Sequence, residues 1–294
     1  MRVIKHIAAT IISLTMLMGC NTTDKDKNQS ENNMEKSTVN ISVQLWSVKD
    51  ELKSDFKGTL TQLANMGFNG VEFAGDFGSF KDDPAGLKDY LASLGLKPSG
   101  AHVGIEQFNE ENFDKTVNFY KALGVTFLIV PWDERAWDAS KIDELIAELN
   151  AAAEKLAVHG LQTGFHNHER EFEDFQQTTF WDHIAKSTDS NFILQLDIGW
   201  VTYAGKDPVT YINRYPGRTL TTHIKAKLPK DVTGKRPIIG DDVTDWHAVV
   251  KAELEVGGTQ WFVIEQEEYP DGLTPLEAVK TSKQGFDNIV STLK

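Results

Sequence analysis

Four histidines and several acids stand where apolar runs end. His102 lies near the end of KPSGAHVG, His166 and His168 end LQTGFHNH, and His223 lies within TLTTHIKAK. Glu72 lies within NGVEFAG, Asp133 follows TFLIVPW, Asp197 follows NFILQL, and Glu265 and Glu267 lie in QWFVIEQE. An ionisable group at the end of a buried run is costly unless it is paired or binds a cation. Several such groups at one place therefore imply a ligand site. His166, Asp197, His223 and Glu265 come from four consecutive runs. Two imidazoles and two carboxylates suit one divalent ion, Mn, Co, Zn, Mg or Fe, and the nitrogen donors argue against calcium. On a strand, residues two apart share a side. His168 can therefore look the same way as His166, and Glu267 the same way as Glu265, with only one of each pair needed as a ligand.

Elements of regular size must position these residues. Strand candidates start near Ile41, Asn69, Lys97, Thr126, Leu161, Asn191, Thr219 and Gln260, at spacings of 28, 28, 29, 35, 30, 28 and 41 residues. Amphipathic stretches lie between them. Phe56–Met66, Pro84–Leu94, Asn112–Leu123 and Ser140–Val158 each read as a helix that stops at a glycine. The last has Ser140 as its cap and Glu144 in its first turn. Eight strand–helix units over residues 40–294 predict a (β/α)8 TIM barrel, whose chemistry sits at the carboxyl ends of the strands. The rival is a doubly wound open sheet. No G-x-G-x-x-G follows the first strand, and no G-x-x-x-x-G-K-[ST] is present, which removes its commonest nucleotide-binding forms.

Composition narrows the partners. The 294 residues hold 43 acids and 30 bases, a net charge of -13, which argues against nucleic acid. A hydrophobic share of 40% can fill a core. The single cysteine excludes a disulfide framework within the chain. It is Cys20, and it ends Leu17-Met18-Gly19-Cys20 after a basic start (Arg2, Lys5) and the uncharged run 7–18. This resembles the lipobox of exported lipoproteins. Residues 1–19 are expected to be a signal peptide. Residues 20–39 are expected to be a lipidated flexible tether, with the membrane engaged only through Cys20 and the protein facing the periplasm or the cell exterior.

Five pieces occur in order: Val71-Glu72-Phe73, Gly164-Phe165-His166-Asn167-His168, Gln195-Leu196-Asp197-Ile198-Gly199-Trp200, His223-Ile224-Lys225 and Val263-Ile264-Glu265-Gln266-Glu267. Together they resemble the sugar phosphate isomerase/epimerase superfamily, with its xylose isomerase-like barrel. The resemblance implies one divalent metal held from strands 5 to 8, with Asp197, His223 and Glu265 as ligands. His166 stands where ketose epimerases often carry a glutamate, which puts simple two-base epimerisation in question. The His-Asn-His piece is closer to inosose and 3-keto-sugar enzymes.

In such a site a metal stabilises the enediolate formed when a base removes the proton beside a carbonyl. Candidate acids and bases are Glu265, His168, His102 and Glu72. Lys225 and Glu267 are candidates for substrate oxygens, and Trp46, Trp132, Trp200 and Phe73 for apolar walls. His159, His183 and His247 read as surface or packing residues, and 169–174 as a solvated loop. Export argues for an unphosphorylated sugar. The expected activity is epimerisation or 1,2-elimination or hydration on a keto-sugar or 3-keto-glycoside. The alternatives are a free aldose–ketose isomerase or ketose 3-epimerase, and a non-catalytic tethered carbohydrate-binding protein.

Overall fold

The computed structural model describes residues 39–293. The expected signal peptide, Cys20 and all but the end of the expected tether lie outside the described residues. No helix among the described residues is long and apolar enough to cross a membrane.

The eight apolar runs form β1 Ile41–Gln44, β2 Gly70–Phe73, β3 Lys97–His102, β4 Phe127–Val130, β5 Gln162–His166, β6 Ile193–Gln195, β7 Thr221–Ile224 and β8 Trp261–Ile264. They hydrogen-bond in the order β6-β5-β4-β3-β2-β1-β8-β7, all in parallel. A single bridge, Asp197 to His223, joins β6 to β7 and closes the ring. The His223 N–H donates to the Leu196 carbonyl there. The seam of the barrel thus runs through two of the residues singled out above. This is the (β/α)8 architecture expected from the spacing, and the open-sheet rival is excluded.

Side chains alternate across the strands. Val43, Val71, Phe165 and Phe262 face outward into the main core shared with the helices. Phe127, Ile129 and Ile193 make a separate apolar cluster with Leu220 and Trp261 against it. Ile193 is two residues before Gln195, so this cluster lies inside the barrel, below the polar groups. The helices Phe56–Asn65, Pro84–Ser93, Phe113–Leu123 and Ile142–Ala157 follow the expected ranges. Gly124, at φ 86°, caps the third of them in a left-handed conformation that a side chain resists.

Two local expectations fail. Ser140 does not cap Ile142–Ala157; Lys141 holds the cap position and contributes no side-chain hydrogen bond. The Ser140 hydroxyl and N–H instead both donate to Asp138, whose carboxylate is two residues away and closes a tighter turn. Residues 169–174 are not simply a solvated loop. Glu171 and Phe172 are buried, Phe172 against Trp181 and Tyr211, and Glu171 accepts the His168 N–H. A short hairpin then pairs Asp174–Phe175 with Thr178–Thr179.

Glu253 is fully buried; one carboxylate oxygen accepts from the Thr219 and Thr259 hydroxyls, and the other has no partner among the described residues. Burial pushes this acid up to about 7. The folded protein therefore holds its proton to higher pH than the unfolded chain, and stability falls as pH rises from about 4.5 to about 7. Glu253→Gln should raise stability at pH 8 by on the order of 3 kcal/mol and be neutral near pH 4. Thermal melts at the two pH values check this; an equal effect at both would contradict it.

Candidate active site

The seam and its neighbours deliver four donor groups. His166 is the last residue of β5, and Asp197 lies two residues past β6. His223 is the third residue of β7, and Glu265 directly follows β8. Their ligand-type atoms lie within 4.8 Å of one another, and all four residues are buried. Asp197 divides its two oxygens. Oδ1 accepts the Trp200 N–H at 2.9 Å and caps the helix Ile198–Tyr203. Oδ2 is buried with no hydrogen-bond partner among the described residues. It lies 3.8 Å from His166 Nε2, 3.9 Å from His223 Nδ1 and 3.8 Å from Lys225 Nζ. Glu265 Oε2 lies 3.0 Å from His223 Nδ1. A buried carboxylate oxygen without a partner is expensive, and one surrounded by two imidazole nitrogens and a second carboxylate fits a divalent cation.

A second layer beneath aims these groups. Glu72 is fully buried on β2. It accepts from Gln44 Nε2 at 2.8 Å, Gln195 Nε2 at 2.8 Å and His223 Nε2 at 2.6 Å, and lies 3.3 Å from His102 Nε2. An ionised carboxylate only accepts, so every partner must donate. Gln195 spends its amide N–H on Glu72 and turns its carbonyl oxygen to His102 Nε2 at 2.8 Å and His166 Nδ1 at 3.1 Å. His166 therefore carries its proton on Nδ1 and leaves Nε2 free toward Asp197. His223 donates from Nε2 to Glu72 and turns Nδ1 toward Glu265. Asn167 holds the Asp197 backbone, accepting its N–H at 2.9 Å.

Gln44, Gln195 and Asn167 are absent from the sequence-based candidates. The signal for two of them was the pleat: Gln195 is two residues before Asp197, and Gln44 two after the inward Ser42.

Burial and charge set the protonation. Burial pushes Asp197 up to about 7. Burial drives His166 well below its usual value and His168 down to about 3, with nearby cations adding to both. Burial alone would lower His223, but Glu72 and Glu265 outweigh it and raise it to about 10. Burial would raise Glu265, yet Lys225 and His223 hold it well below the carboxylate range. Burial would raise Glu72 too, and His223 and His102 outweigh it.

A cavity of about 500 Å³ opens above these groups, and Trp46, His102, Trp132, His168, Lys225 and Glu267 line it with His166 and Glu265. Lys225 hydrogen-bonds Glu267 and lies 3.3 Å from Glu265. Four candidates stand elsewhere. Glu72 lies beneath the ligand-type residues, with its oxygens committed as above. Phe73 points outward into the core against Phe77, because it alternates with Glu72. Trp200 packs beside His168, with Lys225 at 5.1 Å and Lys227 at 4.2 Å from its ring, and so borders the cavity behind the residues that line it. Asp133 is held by Arg135 at 2.8 Å. His183 pairs with Asp143 and His247 with Thr292, at the surface. His159 meets Phe113 edge-on.

The sequence model of the xylose isomerase-like TIM barrel family matches residues 60–289. An inosose dehydratase of Lacticaseibacillus casei is 23% identical over 269 residues, covering 79% of this chain and 89% of that one. A sugar phosphate isomerase/epimerase of Parabacteroides distasonis superposes with a TM-score of 0.66 at 24% identity, covering 87% of this chain and 96% of that one. An L-ribulose 3-epimerase superposes with a TM-score of 0.64 at 15% identity, over 86% of this chain and 95% of that one.

Metal analysis of the purified protein tests the four donor groups. Asp197→Asn and His166→Ala should each lose the ion, and Glu72→Gln should weaken its binding by about 10–100-fold through the freed orientation of His223 and Gln195. Unchanged metal content in all three variants would refute the assignment.

Proposed function

The chain belongs to the xylose isomerase-like TIM barrel family, and on that premise we propose that it is a divalent-metal-dependent enzyme acting beside the carbonyl of an unphosphorylated keto-sugar or keto-glycoside. The observation that carries the reading is the partnerless Asp197 Oδ2, enclosed with His166, His223 and Glu265 at the floor of the cavity. A divalent ion held by these four would supply Lewis acidity to a carbonyl oxygen.

The chain's own residues supply the rest. His102 and His168 line the cavity. Both are lowered by burial, and His168, at about 3, is neutral at ordinary pH but a weak base, so its place in the cavity rather than its basicity makes it a candidate. His102 commits Nε2–H to Gln195, so its Nδ1 carries the lone pair. Lys225 is raised, since Glu265, Asp197 and Glu267 outweigh burial, and it remains a charged donor for a substrate oxygen. The α-proton passes to an imidazole. In elimination, the bond from the neighbouring carbon to its oxygen then breaks, and that oxygen leaves with a proton.

Three observations favour elimination on an uncharged substrate. The place where ketose epimerases often carry a glutamate holds His166, so the paired carboxylates of that mechanism are not both there. The inosose dehydratase relative acts, by its name, as a dehydratase. Lys225 is the one lysine or arginine in the cavity lining among the described residues, and its ammonium is already matched by Glu265 and Glu267. No cation is left over for a phosphate.

The proposal includes export, with residues 1–19 as signal, 20–39 as tether and lipid on Cys20. Intact mass of protein taken from native membranes should show the lipid on Cys20; a free thiol there would end that part. The chemistry is tested by NMR in D₂O with an inosose and a 3-keto-glucoside. Metal-loaded protein should place deuterium on the carbon beside the carbonyl, and metal-stripped protein should not. Absence of exchange and of elimination on both substrates would sink the reading.

A further inference from the structure

The cavity is larger and more aromatic than one sugar ring over the donor groups requires. Its volume, about 500 Å³, is that of a pocket for a ligand of several rings or chains. The donor groups occupy only the side formed by β5 to β8. The other side, over β1 to β4, carries no ionisable side chain in the lining among the described residues except His102.

What stands there instead is apolar or small. Trp46 follows β1 and is 45% exposed, and Trp132 follows β4 and is 52% exposed. Large apolar side chains left this open in a cavity mark a binding surface. Between them, at the ends of β2 and β3, the lining is Ala74, Gly75 and Gly104. A Cβ added to Gly75 would meet nothing within 4 Å, so the space above it is open.

Both indoles are braced. The Lys49 ammonium sits 4.0 Å from the centre of the Trp46 ring. Trp132 is met edge-on by Trp137 at 4.6 Å and by His168 at 4.8 Å. His168 therefore touches both halves of the cavity, as a neighbour of His166 at 5.1 Å and of Trp132.

We infer that this β1–β4 half is a second-ring subsite: the substrate is a glycoside whose reacting sugar lies over His166, Asp197, His223 and Glu265 while its neighbouring ring lies between Trp46 and Trp132. The inference rests on the proposed keto-sugar reading for the position of the first ring, but not on turnover. The aromatic faces suit the apolar face of a pyranose or a planar aglycone, and the small floor leaves the ring its thickness. Among the described residues this half of the lining holds no cation, and Lys49 lies against the Trp46 ring rather than in the lining, which suits an uncharged second ring.

Binding without chemistry separates this subsite from the reaction. Calorimetric titration of the metal-loaded protein would use unoxidised, unreactive probes: methyl α- and β-glucoside as single rings, p-nitrophenyl α- and β-glucoside with a planar second ring, and maltose and cellobiose with a sugar second ring. At least one two-ring probe should bind about tenfold more tightly than its matching methyl glucoside. The p-nitrophenyl and disaccharide arms tell a planar aglycone from a sugar. Trp46→Ala and Trp132→Ala should each reduce that ratio severalfold with metal content unchanged. The inference is overturned if no two-ring probe exceeds its methyl glucoside, or if the advantage survives in both variants. Neither result depends on whether deuterium exchange is seen.

Discussion

The site depends on one buried carboxylate that touches no substrate space. Glu72 accepts from Gln44, Gln195 and His223 and stands beside His102, inside a barrel whose floor is apolar. Because it can only accept, it dictates the direction of every hydrogen bond around it. Its demand on Gln195 fixes which face of that amide meets His166, and so which nitrogen of His166 is free. Its demand on His223 does the same directly. Two imidazoles on different strands are thus oriented by a group on a third. A neutral or apolar residue at 72 would leave both rings free to adopt the wrong tautomer. The arrangement is the familiar carboxylate–histidine support of metal sites, here branched through an amide.

The seam of the barrel adds a second constraint. β6 and β7 are bridged at Asp197–His223, with the Leu194 N–H on the Arg218 carbonyl and Gln195 on Thr221 further along the same seam, so the closure of the barrel also aligns two donor groups. Asp197 also caps the following helix with one oxygen, which leaves the other aimed inward. Asn167 clamps its backbone from β5. Local helix capping, sheet closure and site geometry are therefore satisfied by the same few residues, and a change at Asp197 would be felt in all three.

The fold was legible because its repeat is long and regular: eight apolar runs at near-constant spacing, each followed by an amphipathic stretch with a glycine stop. The positions of His166, Asp197, His223 and Glu265 at strand ends were legible for the same reason. What failed depended on neighbours distant in sequence. Phe73 looks like a cavity wall until Glu72 is known to face inward, after which alternation sends Phe73 outward. Trp200 borders the cavity through His168 and Lys225 rather than lining it, because the helix that Asp197 caps packs it against Tyr203 and Lys227. Gln195 and Gln44 carry no charge and no motif, and their role exists only because Glu72 reaches them from another strand. Ser140 met a closer carboxylate at Asp138. The burial of Glu171 and Phe172 in an acidic stretch needed the aromatic partners Trp181 and Tyr211, which lie 9 and 39 residues after Phe172.

Charge makes the strongest physical case for a cation. Glu72, Asp197, Glu265 and Glu267 surround Lys225 and His223. If all four carboxylates are ionised and the histidines neutral, three negative charges are unmatched in a largely buried space. Protein alone can reduce this only by holding protons, and it does: His223 is raised to about 10 and Asp197 to about 7. Both protonated groups present their atoms to the same small volume, Nδ1 of one and the partnerless Oδ2 of the other. A divalent ion in that volume would replace those protons and match the same excess charge, while turning both atoms into ligands. Proton and cation are thus alternative occupants of one electrostatic demand. The groups that create the demand are held in place by Glu72 beneath and by the barrel seam beside them.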